Sequence, residues 1–181
     1  MKGVVFTEFL DMVEATYYPE VVDDIIDASD LATSGAYTAV GTYPATEMTA
    51  LVRALSERVE TPVPDLLSAF GHHLFGRFHE MYPEFFGDSA DAMDFLQGIE
   101  SVIHTEVRKL YPDAQLPAIT VERVTPDTLT LEYASPRGLA DLAEGLIRGA
   151  LAHFRSGGTV ARENLADDGS ASRFVISRES A

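Results

Sequence analysis

Four side chains have the types and spacing to do chemistry: His104, Tyr133, Ser135 and Arg137. His104 lies in SVIHTEVRKLYPDAQLP, Ser101 to Pro117, which reads as the last turns of a helix, a sharp stop and a proline-pinned loop. Tyr133, Ser135 and Arg137 alternate in YASPR at the predicted end of a strand. An imidazole offers one nitrogen to a metal or a proton. A guanidinium fork matches a carboxylate, and two neighbouring hydroxyls complete a carboxylate-binding set. His104 falls beside Val107 and the apolar stripe of its helix, so it can face something buried. The same pattern also fits a half-buried imidazole bonded to a backbone carbonyl.

The elements that must position these groups follow from periodicity. Val5, Phe6, Phe9, Leu10 and Val13 predict a helix over 2–17, and Pro19 opens a short helix to Ala28. Residues 29–43 read as a loop. Pro44 opens a helix to about Glu60, and a long helix covers Pro64 to Met81. Ser89 or Asp91 can cap a helix over about 90–110 whose apolar face is Leu96, Ile99, Ile103, Val107 and Leu110. After Pro117 the period becomes two, and Thr125-Pro126-Asp127 between two alternating runs predicts a hairpin. A helix over Gly138 to Phe154 and two strands, about 159–165 and 172–178, complete the pattern. Five helices, two strands, one helix and two strands make an α+β layout: a helical subdomain packed on helices and a four-stranded antiparallel sheet. The chain 1–181 reads as one domain, divided at about 1–62 and 63–181.

Composition removes several classes. A formal charge of −16 over 181 residues argues against nucleic acid or an anionic membrane as partner, since both need a basic footprint. With no cysteine there is no disulfide, thiolate zinc site, iron–sulfur cluster or cysteine nucleophile, and a reducing cytoplasm is compatible. No apolar run approaches the roughly 20 residues of a membrane helix, and no targeting segment shows. No glycine-rich phosphate loop precedes a helix, and no Ser/His/Asp set stands in a supporting context, so no enzyme site is visible. His72 and His73 are adjacent, so at most one can face a given side of a helix. His79 and His153 are expected to be solvated at helix ends.

One imidazole plus a separate carboxylate clamp is what a heme requires: one axial bond and two propionates. Met1-Lys2-Gly3, Ala69-Phe70-Gly71, His104 in IHTEV, Pro117 and the Tyr-x-Ser-x-Arg motif together resemble the heme nitric oxide/oxygen-binding (H-NOX) family, bacterial relatives of the heme domain of soluble guanylate cyclase. The resemblance runs nearly end to end. It implies heme b between the two subdomains, with His104 as the proximal iron ligand. It implies that Tyr133, Ser135 and Arg137 bind the propionates, and that Pro117 presses on the porphyrin and distorts it. It implies a distal wall of Val5, Phe9, Leu74, Phe78, Leu142 and Leu146. Oxygen-binding relatives carry a distal tyrosine; counted without gaps from Tyr133 that position is Leu142, and residues 138–155 contain no Tyr or Trp. Bound dioxygen needs a donor, so nitric oxide and carbon monoxide are the expected ligands.

By the same resemblance, nitric oxide breaks the iron–His104 bond to leave a five-coordinate nitrosyl, and the helix carrying His104 shifts. No output module follows through Ala181, so signalling is expected in trans to a histidine kinase or a cyclic-di-GMP enzyme (diguanylate cyclase or phosphodiesterase). The zinc site of some relatives uses cysteines and is not expected here. Val160, Leu165, Phe174 and Ile176 are expected to stabilise the C-terminal strands instead. The alternative is a peroxidase-like heme enzyme using His72 or His73 as distal acid/base; a heme-free interaction module is a third reading.

Overall fold

A computed structural model describes residues 1–87 and 89–178. The expected domain end at 181 lies outside the described residues. Helices α1 (Gly3–Thr16), α2 (Pro19–Asp27), α3 (Ala45–Val59) and α4 (Val63–Met81) come first. A 3₁₀ turn (Pro83–Phe85), α5 (Ala92–Gln97), a wide π turn (Ile99–Ile103) and α6 (His104–Leu110) follow. Strands β1 (Ala118–Val124) and β2 (Thr128–Ala134), helix α7 (Ala140–His153), and strands β3 (Thr159–Asn164) and β4 (Ala171–Ser177) complete the α+β fold. The four strands form an antiparallel sheet in the order β1-β2-β4-β3.

Local chemistry explains most boundaries. Pro19 and Pro64 sit in the first turns of α2 and α4, where a missing N–H is harmless. Asp91 caps α5 by accepting from the Asp94 amide at 3.0 Å. The single helix expected over 90–110 is instead three pieces. Gly98, a poor helix former, ends α5, and its carbonyl accepts from both Val102 (2.8 Å) and Ile103 (3.3 Å), which widens the next turn. The wide turn inserts a residue into the helical phase. His104 becomes buried, at 9 % exposure, while Leu110, expected on the apolar face, is 56 % exposed.

Alternation in β2 and β4 turns Leu129, Leu131, Tyr133, Phe174 and Ile176 inward. On the outer face Arg173 pairs with Glu122, Glu132 and Glu163. Phe174 and Ile176 are fully buried and Val160 packs against them, but Leu165, beyond the end of β3, is exposed and contributes no core.

Two hydrophobic cores result. One joins α1–α3 with Leu66, Leu67, Phe70 and Leu74 of α4 and Leu139 and Leu142 at the start of α7. The other joins the sheet and α5 with Phe75 of α4 and Ile147 and Ala150 of α7. The packing seam therefore passes through α4, between Leu74 and Phe75, whereas the sequence division at about residue 62 only marks where the chain enters that helix. Helices α4 and α7 cross closely because glycines face each other. A Cβ on Gly71 would collide with the Leu142 carbonyl oxygen, and one on Gly145 with that of Ser68. This crossing fixes the floor on which the cavity between the cores rests.

Candidate functional site

The cleft between the two cores encloses about 1450 Å³ of atom-free space, its open mouth included. Val5 reaches it from α1, Phe75 and Phe78 from α4, Ile103, His104 and Val107 from the π turn and α6, and Leu146 from α7. Pro117 lines it from the loop after α6, and Tyr133 and Arg137 from the end of β2 and the turn beyond. The chain's first residues, Met1 and Lys2, also border it. The lining is overwhelmingly apolar with a few convergent polar groups, the usual make-up of a cofactor or small-molecule site.

His104 Nδ1 lies 2.8 Å from Glu100 Oε2, and Arg108 Nη2 donates to Glu100 Oε1 at 2.7 Å. Burial pulls the imidazole below its ordinary pKa, against the opposing pull of Glu100. A carboxylate can only accept, so a proton sits on Nδ1 facing Glu100, and in the neutral ring that burial favours Nε2 presents its lone pair. That is the form in which histidine binds a metal.

Arg137 stands out among the cations. Arg58, Arg77, Arg108, Arg148, Arg162, Arg173 and Arg178 each hold a carboxylate. Arg53, Arg123 and Arg155 hold none among the described residues but are exposed; Arg137 is half-buried and also pairs with none of them, in a chain with 29 acidic residues. Among the described residues its side-chain hydrogen bond goes to Ser135 Oγ, 3.3 Å from Nε. Burial pulls its pKa down, the sign of a desolvated cation without an acidic partner. Ser135 is buried behind Arg137 and does not line the cleft; the structure places its hydroxyl as a support for the guanidinium. Tyr133 is buried, with its phenol pushed above the ordinary value by that burial.

Three of the six residues expected on the distal wall, Val5, Phe78 and Leu146, line the cleft. Phe9, Leu74 and Leu142 do not: they are packed in the N-terminal core, Phe9 edge-on against Phe70 with ring centroids 5.1 Å apart. The glycine crossing brings the Leu142 backbone onto Gly71, which seats Leu142 against the N-terminal core.

His72 is exposed and His73 half-buried; neither lines the cleft, so the peroxidase-like alternative has no acid/base there. His153 is exposed as expected, whereas His79 is half-buried; their rings meet at a tilt of 48°, centroids 4.1 Å apart, beside Phe86. Sequence reasoning missed Glu100, although its place four residues before His104 on one helix was a usable signal. It also missed Lys2, whose ammonium lies 4.9 Å from the Tyr111 ring centroid and 2.8 Å from Thr42 Oγ1, joining the first core to the loop after α6. Tyr82 also borders the cleft, its phenol pushed up to about 12 by burial and then by Tyr111.

Among the described residues no helix is long and apolar enough to cross a membrane. Comparison with known proteins agrees with this geometry. The family model described as Haem-NO-binding matches residues 2–161. A crystal structure of an Fe(II) unliganded H-NOX protein from K. algicida is 39 % identical, covers 100 % of this chain and 98 % of its own, and superposes with a TM-score of 0.96. An H-NOX protein from S. oneidensis in the Fe(II)NO ligation state is 28 % identical, with 99 % and 100 % coverage and a TM-score of 0.91. The IWP-051-bound H-NOX from Shewanella woodyi in the Fe(II)CO state is 37 % identical, with 99 % and 95 % coverage and a TM-score of 0.84. Curated protein sequences give no match.

Proposed function

Because the chain belongs to the Haem-NO-binding family, a family of heme-binding gas-sensor domains, we propose that the cleft holds heme b, with His104 Nε2 on the iron and Arg137 on the propionates. The observation that carries this reading is the uncompensated Arg137 cation, at a cleft that also contains a bare imidazole nitrogen. An apolar slot with one neutral nitrogen donor and one unpaired guanidinium suits a flat apolar group that has a metal at its centre and carboxylates at its edge. Thioether attachment needs cysteine, and the chain has none, so the group is held by coordination, packing and the contacts to its carboxylates.

The residues divide the work. Tyr133 and the Ser135-braced Arg137 anchor the carboxylates, and Pro117 presses on the ring from the loop after α6. Val5, Phe78 and Leu146 offer a visiting diatomic no hydrogen-bond donor. Tyr111 caps α6, the His104 helix, and its neighbour Tyr82 is engaged with it, so these hydroxyls belong to the His104 wall. The bound iron supplies the site for the gas. A wall without donors favours nitric oxide and carbon monoxide over dioxygen, which needs a donor for its outer atom.

Bound there, heme would supply the iron at which the gas binds, and His104, as its ligand, would tie α6 to that iron, so that losing the His104 contact would leave α6 free to move. Its downstream loop reaches the first core through Asp113, which accepts from Thr42 at 2.6 Å and lies 3.4 Å from Lys2 Nζ. A shift of α6 thus acts on contacts spanning both cores, as a two-state element biased by ligand must. The readout is a separate signalling protein, a histidine kinase or a cyclic-di-GMP enzyme, in the cytoplasm. The test is the absorption spectrum of the ferrous protein, first without gas, then with nitric oxide, carbon monoxide and air in turn. New bands with the first two and none with air are expected; a lasting oxy spectrum would overturn the gas assignment.

A further inference from the structure

Resting on the reading that His104 supplies the axial nitrogen, we propose that Glu100 is the positioning residue for that imidazole and that Arg108 tunes it. Glu100 decides which ring nitrogen is bare and how strongly it donates; Arg108 sets how much of the carboxylate's charge reaches the ring.

The three side chains stand one turn apart along a single helical stretch. Glu100 Oε2 meets His104 Nδ1 at 2.8 Å, and Glu100 Oε1 meets Arg108 Nη2 at 2.7 Å. The ring is nearly buried while the Arg108 end of the chain is open to solvent. With one oxygen on the ring and the other on the guanidinium, the carboxylate cannot turn without breaking a bond, so it presents a fixed acceptor to Nδ1 of the imidazole. A carboxylate accepting from Nδ1–H makes the ring more electron-rich and a stronger σ-donor, as partners of metal-bound histidines do. The guanidinium draws part of that charge away.

Position adds a second consequence. Glu100 lies in the wide turn Ile99–Ile103, and His104 is the first residue of α6. Any displacement of α6 against that turn strains the Glu100–His104 bond. The pair therefore links the donor strength of the ring to the conformation of its own helix, and sets how readily the ring lets go of its metal.

Neutralising Glu100 and removing Arg108 must then act in opposite directions, which a merely structural role would not produce. Glu100→Gln keeps size and an acceptor oxygen but loses the charge. In the ferrous heme-loaded protein it is expected to lower the iron–imidazole stretching frequency, make the reduction potential more positive and weaken heme binding about tenfold. Arg108→Ala is expected to raise the frequency and make the potential more negative. In the heme-free protein, long-range ¹⁵N NMR is expected to show His104 as the Nδ1–H tautomer, and to lose that preference in Glu100→Ala. An Nε2–H tautomer in the unaltered protein overturns the proposal. So do a frequency and potential unmoved by Glu100→Gln, or variants that move both in the same direction. If the unaltered protein takes up no heme, the heme reading fails by itself, and the tautomer measurement still decides the pairing. Arg108 is exposed, so its replacement leaves the fold intact even if a Glu100 variant melts early.

Discussion

The two walls of the cleft differ in how their polar groups are treated. The wall built by the π turn, α6 and the end of β2 carries His104, Glu100, Arg108, Tyr133 and Arg137. There, among the described residues, one ring nitrogen has no partner and one cation has no carboxylate. The wall built by α1, α4 and α7 presents Val5, Phe78 and Leu146 from within its helices, with the polar side chains Lys2 and Tyr82 only at the helix ends. Burying an unpaired cation is expensive, so a fold that keeps one reserves it for a ligand. The first wall is built to hold something; the second is built to offer a visitor nothing but shape.

Removing the held charge should have the largest effect. Arg137→Ala is expected to weaken heme binding roughly 10- to 100-fold, the loss of about 1.5–3 kcal/mol of charge-assisted hydrogen bonding. An unchanged affinity by heme titration would place the propionates elsewhere. Putting a donor on the other wall tests its neutrality: Leu146→Gln is expected to keep heme and to gain an oxy spectrum in air that the unaltered protein lacks. If oxygen still fails to bind, the missing donor is not what excludes it.

The floor beneath both walls gives a smaller effect. Gly145→Ala pushes a methyl into the Ser68 backbone and is expected to destabilise by about 1–3 kcal/mol in urea unfolding. Gly76→Ala, where the new methyl meets nothing within 4 Å, should instead stabilise by about 0.5–1 kcal/mol. Equal behaviour of the two would show that the α4–α7 crossing tolerates the bulk.

The smallest effect concerns His73, whose buried Nε2 has no partner and whose pKa burial pulls down against the pull of Glu8. Its folded pKa is below its unfolded value of about 6.5, so below that pH the unfolded chain binds more protons. Its contribution to stability is thus present above about pH 6.5 and is lost as pH falls toward the lowered folded value. His73→Gln is expected to flatten the dependence of melting temperature on pH over that window; an unaltered slope would contradict it.

What was legible in the sequence was local. His104, Tyr133 and Arg137 were singled out by residue type and local spacing, which are one-dimensional properties, and Pro117 by the family resemblance; all four line one cleft. Period-two alternation likewise marked β2, whose inward Leu129, Leu131 and Tyr133 are buried as expected. What was not legible depends on how elements approach each other. Phe9, Leu74 and Leu142 share helix faces with cavity residues. Their place in a core instead is decided by how the helices pack, as at the close approach of Gly71 and Gly145 and the edge-on contact of Phe9 with Phe70. The tilted contact of His79 with His153 joins the ends of α4 and α7 and leaves no mark in either helix alone. The break at Gly98 was in plain sight, but a single glycine is tolerated in many helices, and the wide turn that follows is a tertiary outcome.

The most direct measurement is the resonance Raman spectrum of the ferrous protein, unaltered and as His104→Gly, with and without added imidazole. The expected result is an iron–imidazole stretch in the unaltered protein. It should vanish in the variant and return when free imidazole fills the vacated place. A protein that takes up no heme, or a variant whose heme spectrum is the same as that of the unaltered chain, would contradict the assignment of His104 as the metal's ligand.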